Sequence, residues 1–504
     1  MRKFRKTVSL LCVSAIVLSL LSGCSRKEDS SSAEGTIKIF NRVNPEVVVD
    51  NNPIIKALGE KVNVSIEYDA PPINNYNEKL QIAMASGDIP DIIYNWGGSD
   101  QNYEQWAKDG LLAELDDKIA NYPNIMETVP KEYWEAIRST QTGKIHSIPR
   151  TNVDNYWGFV INQKWLDNLG LSAPNTLDEL KDVLHQFTFN DPDGNGVKDT
   201  YGFSFNLASG EPISIMPLKF AFGLERVKDT DGQYKIKEKM SGYIPYLTYI
   251  KELYEDGSLD PEFITNSLEA TREKLASDRV GVLQDHQVGV MTLLKVQSDA
   301  IDRYSYIGAP KQANGERVEY IEPSMWGTWM ISADADVDKC LELIDYAMSD
   351  EGFALNSLGI EGEHYNSYDY ENRMVDRTEE QSNKVLGVTS SYFTFAYAKD
   401  GASAIIENAS TQERIDKYFQ DFDNMKSDMT EVHVPFVKAP LYTTFKSDNP
   451  DVITKLSEME VQYIVGEIEL EKIEEFLNDV YFPAAKEMEE EYIAWMIEYE
   501  NKMK

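Results

Sequence analysis

Tyr76-Asn77-Glu78-Lys79-Leu80-Gln81-Ile82-Ala83-Met84-Ala85-Ser86-Gly87-Asp88-Ile89-Pro90-Asp91-Ile92-Ile93-Tyr94 is the stretch that decides the fold. Tyr76, Leu80, Ala83 and Met84 share one face of a helix predicted over 75–85. Gly87 stands where a left-handed cap would end it. Residues 89–94 then read as a buried strand. Upstream, residues 36–40 predict a strand and 52–58 a helix, and the alternation of Val62, Val64, Ile66 and Tyr68 predicts a second strand. Strand, helix, strand, helix, strand at this spacing implies βαβ units and a parallel sheet, hence an α/β protein.

A second set of elements begins near Arg150. It predicts a strand over 156–161, a short helix over 165–169 stopped by Gly170, and a helix opened by the capping box Thr176-Leu177-Asp178-Glu179. Further strands are expected at 202–205, 280–283 and 288–291, and acidic helices at 453–465, 467–477 and 484–502.

Ahead of all this, Arg2, Lys3, Arg5 and Lys6 precede an apolar run ending in Leu21-Ser22-Gly23-Cys24. A basic start, a short apolar run and small residues describe a secretory signal over 1–23, too short to span a bilayer. The ending resembles the lipobox of bacterial lipoproteins. That resemblance implies a diacylated Cys24, a polar tether over 24–35, and an extracytoplasmic protein held to the bacterial cell membrane only by its lipid.

With 504 residues, 42% apolar and 11% aromatic, the chain suits two domains with sizeable cores. Its formal charge of −36 repels nucleic acid and anionic lipid, so neither is a partner. Of three cysteines, Cys12 leaves with the signal and Cys24 carries lipid, so Cys340 has no intrachain disulfide partner. A monomer is expected. Five scattered histidines give no metal spacing, and the sequence holds no GxSxG, HExxH, P-loop or Cys/His cluster.

Asp191-Pro192-Asp193-Gly194-Asn195-Gly196-Val197-Lys198-Asp199 is the sharpest chemical motif. Asp191, Asp193, Asn195 and Asp199 offer side-chain oxygens at the first, third, fifth and ninth places, and Val197 a carbonyl at the seventh. This is the order of a structural Ca2+ loop, although Gly202 replaces the bidentate Glu at the twelfth place. A metal-free Asx/Gly turn is the alternative.

Tyr76-Asn77-Glu78-Lys79-Leu80 and Ala85 to Ile93, then Gly143-Lys144-Ile145-His146-Ser147-Ile148-Pro149-Arg150, the 165–170 and 176–180 blocks, the Asp-rich loop and Gly359-Ile360-Glu361-Gly362-Glu363-His364-Tyr365 occur in one order. That order resembles the extracellular solute-binding proteins (family 1) of carbohydrate ABC transporters, in their alginate- and aldouronate-type lipoprotein branch. The resemblance implies a periplasmic-binding-protein-like fold, with two α/β lobes around a hinge and a ligand cleft between them. Lobe 1 would take 36–150 plus about 325–390, and lobe 2 would take 151–324 plus about 391–504. It also implies an oligosaccharide ligand, delivery to ABC permease transmembrane subunits, and no catalysis.

Sugar sites combine aromatic walls with a few placed polar groups, and in open α/β sheets they lie beyond the carboxyl ends of strands. The residues so placed are Asn41, Arg42, Tyr94, Asn95, Trp96, Arg150, Asn152, Gln284, Asp285, His286, Trp326 and Trp329. Trp134, Trp165 and Trp495 sit at helical positions and are assigned to the core. A Ca2+-dependent polysaccharide-degrading enzyme, or a sugar-sensing or adhesive surface lipoprotein, are the alternatives left open.

Overall fold

The computed structural model describes residues 35–43, 47–72, 75–96, 98, 100–151, 156–207, 211–225, 228–286, 300–321, 325–370, 374–389, 395, 406–407, 412–435 and 437–503. The signal, Cys24, Asn152 and the strand expected at 288–291 lie outside the described residues.

The first lobe is built on β1 (Thr36–Phe40), β2 (Ser65–Asp69), β3 (Ile92–Asn95) and β4 (Ser147–Thr151). The helices Pro53–Lys61 and Tyr76–Ser86 make the two βαβ crossovers. Gly87 caps the second helix in the left-handed region at φ 79°, where an L side chain is strained. β1 runs parallel to both β2 and β3. All four residues of β3 are buried, as expected of a strand covered on both faces.

The second lobe is built on β5 (Trp157–Asn162), β6 (Tyr201–Ser204), β7 (Val280–His286) and β8 (Tyr304–Gly308), in the order β6-β7-β5-β8. β9 (Val318–Ile321) pairs with Thr430–His433, and β10 (Met325–Ile331) returns to the first lobe. The first sheet therefore reads β2-β1-β3-β10-β4. β10 is antiparallel to β3 and β4, and β5 is antiparallel to β7 and β8. The three strands of the opening βαβ run are parallel, as expected, and the strands that join them from later in the chain make both sheets mixed. Local periodicity reports a strand but not the direction of a partner more than two hundred residues away.

The predicted stops and starts are present. Gly170 caps Gln163–Leu169 at φ 67°, and Thr176 and Glu179 close the capping box of Leu177–Phe189. Trp165 and Phe187 meet edge to face at 5.3 Å in the core of the second lobe. That core also takes the helices Tyr243–Asp256, Pro450–Ile464 and Phe482–Met503. The chain passes between the lobes from Thr151 to Trp157 and from Ile321 to Met325. These steps are so short that the carboxyl end of β4 and the amino end of β5 must lie within about 20 Å of each other.

Candidate ligand-binding site

The parallel part of the first sheet has the order β2-β1-β3, so its topological switch point lies between the carboxyl ends of β1 and β3. Asn41 and Arg42 follow β1, and Trp96 follows β3. The Arg42 guanidinium lies flat on the Trp96 ring, 3.2 Å from its centroid. Trp96 in turn meets Tyr94 edge to face at 4.8 Å. Arg150, fully buried at the end of β4, donates to the Tyr94 hydroxyl at 3.3 Å. Asn41 donates to the Tyr68 hydroxyl at 2.8 Å, and burial pushes the Tyr68 phenol up. Sequence reasoning missed Tyr68, although it too stands at the carboxyl end of a strand.

Asn95 turns inward, donating to the Gly98 carbonyl at 2.8 Å and to Asp100 at 3.3 Å, and so fixes the loop that carries Trp96. Trp329 is wholly buried, with its indole N–H on the Phe395 carbonyl at 3.0 Å and its ring stacked on Phe395 at 4.3 Å. It packs against the rear of Tyr94 at 4.6 Å. Its assignment to the ligand is corrected on that ground: it supports the face from within the core. Gly327 explains how β10 fits here. A side chain at its φ of 130° would meet the Asn95 carbonyl at 2.4 Å and the Tyr94 hydroxyl at 2.8 Å. Trp326 precedes it in β10, and His286 ends β7 opposite Trp157. His146 is buried and bonded to the Ala113 carbonyl at 2.9 Å and to Thr142 at 2.8 Å.

The second lobe meets the crossing with a cavity of about 480 Å³, walled in part by Trp157, Ser214, Lys219, Arg272, Gln284 and Asp285. Gln284 accepts from the Met216 amide at 2.8 Å and donates to the Ser214 carbonyl at 2.9 Å. Asp285 is buried and engaged by both arms of the Arg272 guanidinium, the shorter contact being 2.9 Å. This pairing occupies the Asp285 carboxylate, so its part in the cavity is to hold Arg272. Trp157 and Arg272 were not singled out from the sequence; the Arg272–Asp285 pair joins a helix to a strand and has no local signature.

In the Asp-rich loop the Asp191 carboxylate accepts from the Gly196 amide at 3.1 Å. The Asn195 amide donates to Asp193 at 2.7 Å and to Asp199 at 3.3 Å. Burial raises the Asp193 carboxyl above its ordinary value, and the charges of Asp199 and Asp191 add to the effect. Among the described residues no three His, Cys, Asp or Glu side chains form a ready metal cage. A second Asp-x-Asp-Gly loop, Asp229-Thr230-Asp231-Gly232, has solved the same repulsion internally. There Lys235 bridges Asp229 at 2.9 Å and Asp231 at 2.7 Å.

Residues 50–352 match the family of bacterial extracellular solute-binding proteins. Lipoprotein LipO of Bacillus subtilis (strain 168) is 28% identical over 369 residues, covering 69% of this chain and 71% of LipO. The polygalacturonan/rhamnogalacturonan-binding protein YtcQ of the same organism is 24% identical over 503 residues, covering 96% of this chain and 97% of YtcQ. Among solved structures, the HMO-binding, ABC-transporter-associated solute-binding protein of Bifidobacterium longum infantis superposes with a TM-score of 0.72 at 18% identity, over 92% of this chain and 99% of that one. The EF-hand mutant of FusA from Streptococcus pneumoniae, in complex with fructo-nystose, gives 0.64 at 19% identity, over 93% and 99%. Among the described residues no helix is long and apolar enough to cross a membrane.

Proposed function

The chain belongs to the family of bacterial extracellular solute-binding proteins, with a periplasmic-binding-protein-like fold, and from that premise we propose that it captures an oligosaccharide between its lobes and delivers it to an ABC importer. The observation that carries this reading is the pairing of unlike faces at the crossing. Half-buried Trp96, carrying the Arg42 guanidinium over its ring and held from behind by buried Tyr94, offers an aromatic group for sugar C–H surfaces. In the second lobe, around a cavity that Trp157 lines where the chain arrives from the first, Gln284, Arg272 and Lys219 supply hydrogen-bonding groups. Asn152, from a segment that joins the lobes, with Trp326 at the start of β10 and His286 at the end of β7, completes the proposed contacts. A relative named for binding polygalacturonan and rhamnogalacturonan, and a structural neighbour in complex with fructo-nystose, support a carbohydrate ligand.

Cys24 anchors the mature protein by its lipid, and the two lobes divide as the sequence blocks indicate. The Asp191–Asp199 loop holds Ca2+ as a structural ion. The donor set fits, because the Asn195 amide hydrogens already stand between two carboxylates, and rotating that amide would present its oxygen instead. The FusA EF-hand variant points the same way.

A thermal-shift panel of oligosaccharides, followed by calorimetry, tests the function. At least one oligosaccharide should bind and be recovered intact after prolonged incubation. Recovery of cleaved sugar would make the protein an enzyme, and a panel with no binder would refute carbohydrate capture.

A further inference from the structure

The cavity beside Gln284 has a neighbour. Pro212, Lys219, Lys237 and Lys446 line it, and the same four residues line a second cavity of about 400 Å³ in the same lobe. The second chamber is also lined by Phe445, Tyr481 and the stacked pair Tyr442–Tyr492, whose rings lie 4.9 Å apart and 22° from parallel. Each chamber alone falls within the usual volume of a small-ligand site, roughly 300–1,000 Å³.

The charges on these walls are arranged in a specific way. Five cations line the two chambers among the described residues, and each is already paired with a carboxylate. Lys219 pairs with Glu225, Lys237 with Glu238 at 3.5 Å, and Lys235 with Asp229 at 2.9 Å. Arg272 pairs with Asp285 at 2.9 Å, and Lys446 with Glu211 at 2.5 Å. The partners flank the shared wall: Glu211 belongs to the chamber beside Trp157, and Glu225 and Glu238 to the second one. An ammonium–carboxylate pair presents donors and acceptors side by side, which is what a row of sugar hydroxyls requires. It offers little to an anion. A uronate drawn to Lys219 or Arg272 would have to displace a largely buried carboxylate and leave it unpaired, at a large cost.

We infer that the two chambers form one tract for an uncharged oligosaccharide, with the sugar units beside Trp157 held by Gln284 and Arg272 and the units beyond the shared lysine wall held against the Tyr442–Tyr492 pair. The inference rests on the carbohydrate reading above and narrows it to a neutral chain longer than the first chamber can hold. Arg42 and Arg150 do not alter this balance. One lies flat on Trp96, and the other is sealed inside the first lobe.

The test titrates the purified chain with fructo-, galacto- and manno-oligosaccharides of two to eight units and with oligogalacturonides of the same lengths. Neutral chains should bind, and affinity should rise by at least about tenfold between the shortest and the longest member of the preferred series. Thr443→Trp places a large ring in the second chamber from an exposed wall position. It should remove that gain while leaving the affinity of the two-unit sugar within about twofold. Thr443→Phe serves as a second filling variant, and the melting temperature of each unliganded variant verifies folding. Oligogalacturonides binding as tightly as neutral chains would overturn the inference while leaving carbohydrate capture intact. Equal effects of Thr443→Trp on short and long sugars, or no effect on either, would also overturn it. If no sugar of either series binds, carbohydrate capture itself falls.

Discussion

The first lobe meets the crossing with rings and guanidinium groups, and the second meets it with amides and ion pairs. The interiors differ in the same sense. Behind Trp96 stand Tyr94, Trp329 and Phe395, packed ring against ring at centroid distances under 5 Å. Behind the second lobe's chambers lies a buried carboxylate, Glu460, which accepts from Tyr243 at 2.5 Å and from the Ile213 amide at 2.6 Å. Stacked rings provide contact area and resist deformation, whereas a hydrogen-bonded interior fixes orientation and responds to pH. The same division serves a sugar, which has apolar faces and polar edges.

Substitutions at these interiors test the contrast most severely. Trp329→Ala removes the ring that supports Tyr94 and should cost about 3–5 kcal/mol of stability, read by denaturant unfolding. A loss below about 1 kcal/mol would mean that the first lobe does not depend on its aromatic stack. Glu460 should give a pH signature in the second lobe instead. Burial pushes its carboxyl from 4.5 up to about 7. Between those values the folded chain holds a proton that the unfolded chain has released. Stability from this group is therefore full below about 4.5 and is lost as pH rises through 7, by about 3 kcal/mol at most. Glu460→Gln should flatten the dependence over that window, and an unchanged pH–stability curve would assign it to other groups.

The two Asp-x-Asp-Gly loops give a smaller and independent contrast. The 229–232 loop carries its own cation in Lys235, so chelators should not affect it. The 191–199 loop should lose about 1–2 kcal/mol of stabilisation when millimolar Ca2+ is removed, and Asp193→Ala should abolish that sensitivity. Calorimetry that detects no Ca2+ binding to the wild-type chain would make the loop a plain turn.

What could be read from the sequence was local. Gly87, Gly170 and the Thr176–Glu179 box declare helix ends because cap chemistry is confined to four or five residues. The position of Trp96 beyond a strand follows from the same short-range logic. The features that escaped were pairings across the chain. β10 enters the first sheet antiparallel from more than two hundred residues beyond β3, and in doing so buries Trp329. Arg272 finds Asp285 across a helix and a strand, and Lys446 finds Glu211 across 235 residues. Charge type is visible in the sequence, but its pairing is not, and on the chamber walls the pairing decides what chemistry they can accept.

The most direct test of the two-faced account is a calorimetric titration of one bound oligosaccharide against Trp96→Ala and Gln284→Ala in parallel. Both should weaken the same sugar. The loss of the aromatic wall should cost about 2 kcal/mol, near thirtyfold, and the loss of the amide about 1 kcal/mol, near fivefold, with each unliganded variant still folded. A loss confined to one variant, with the other binding like wild type, would place the ligand on a single lobe and contradict capture between the two.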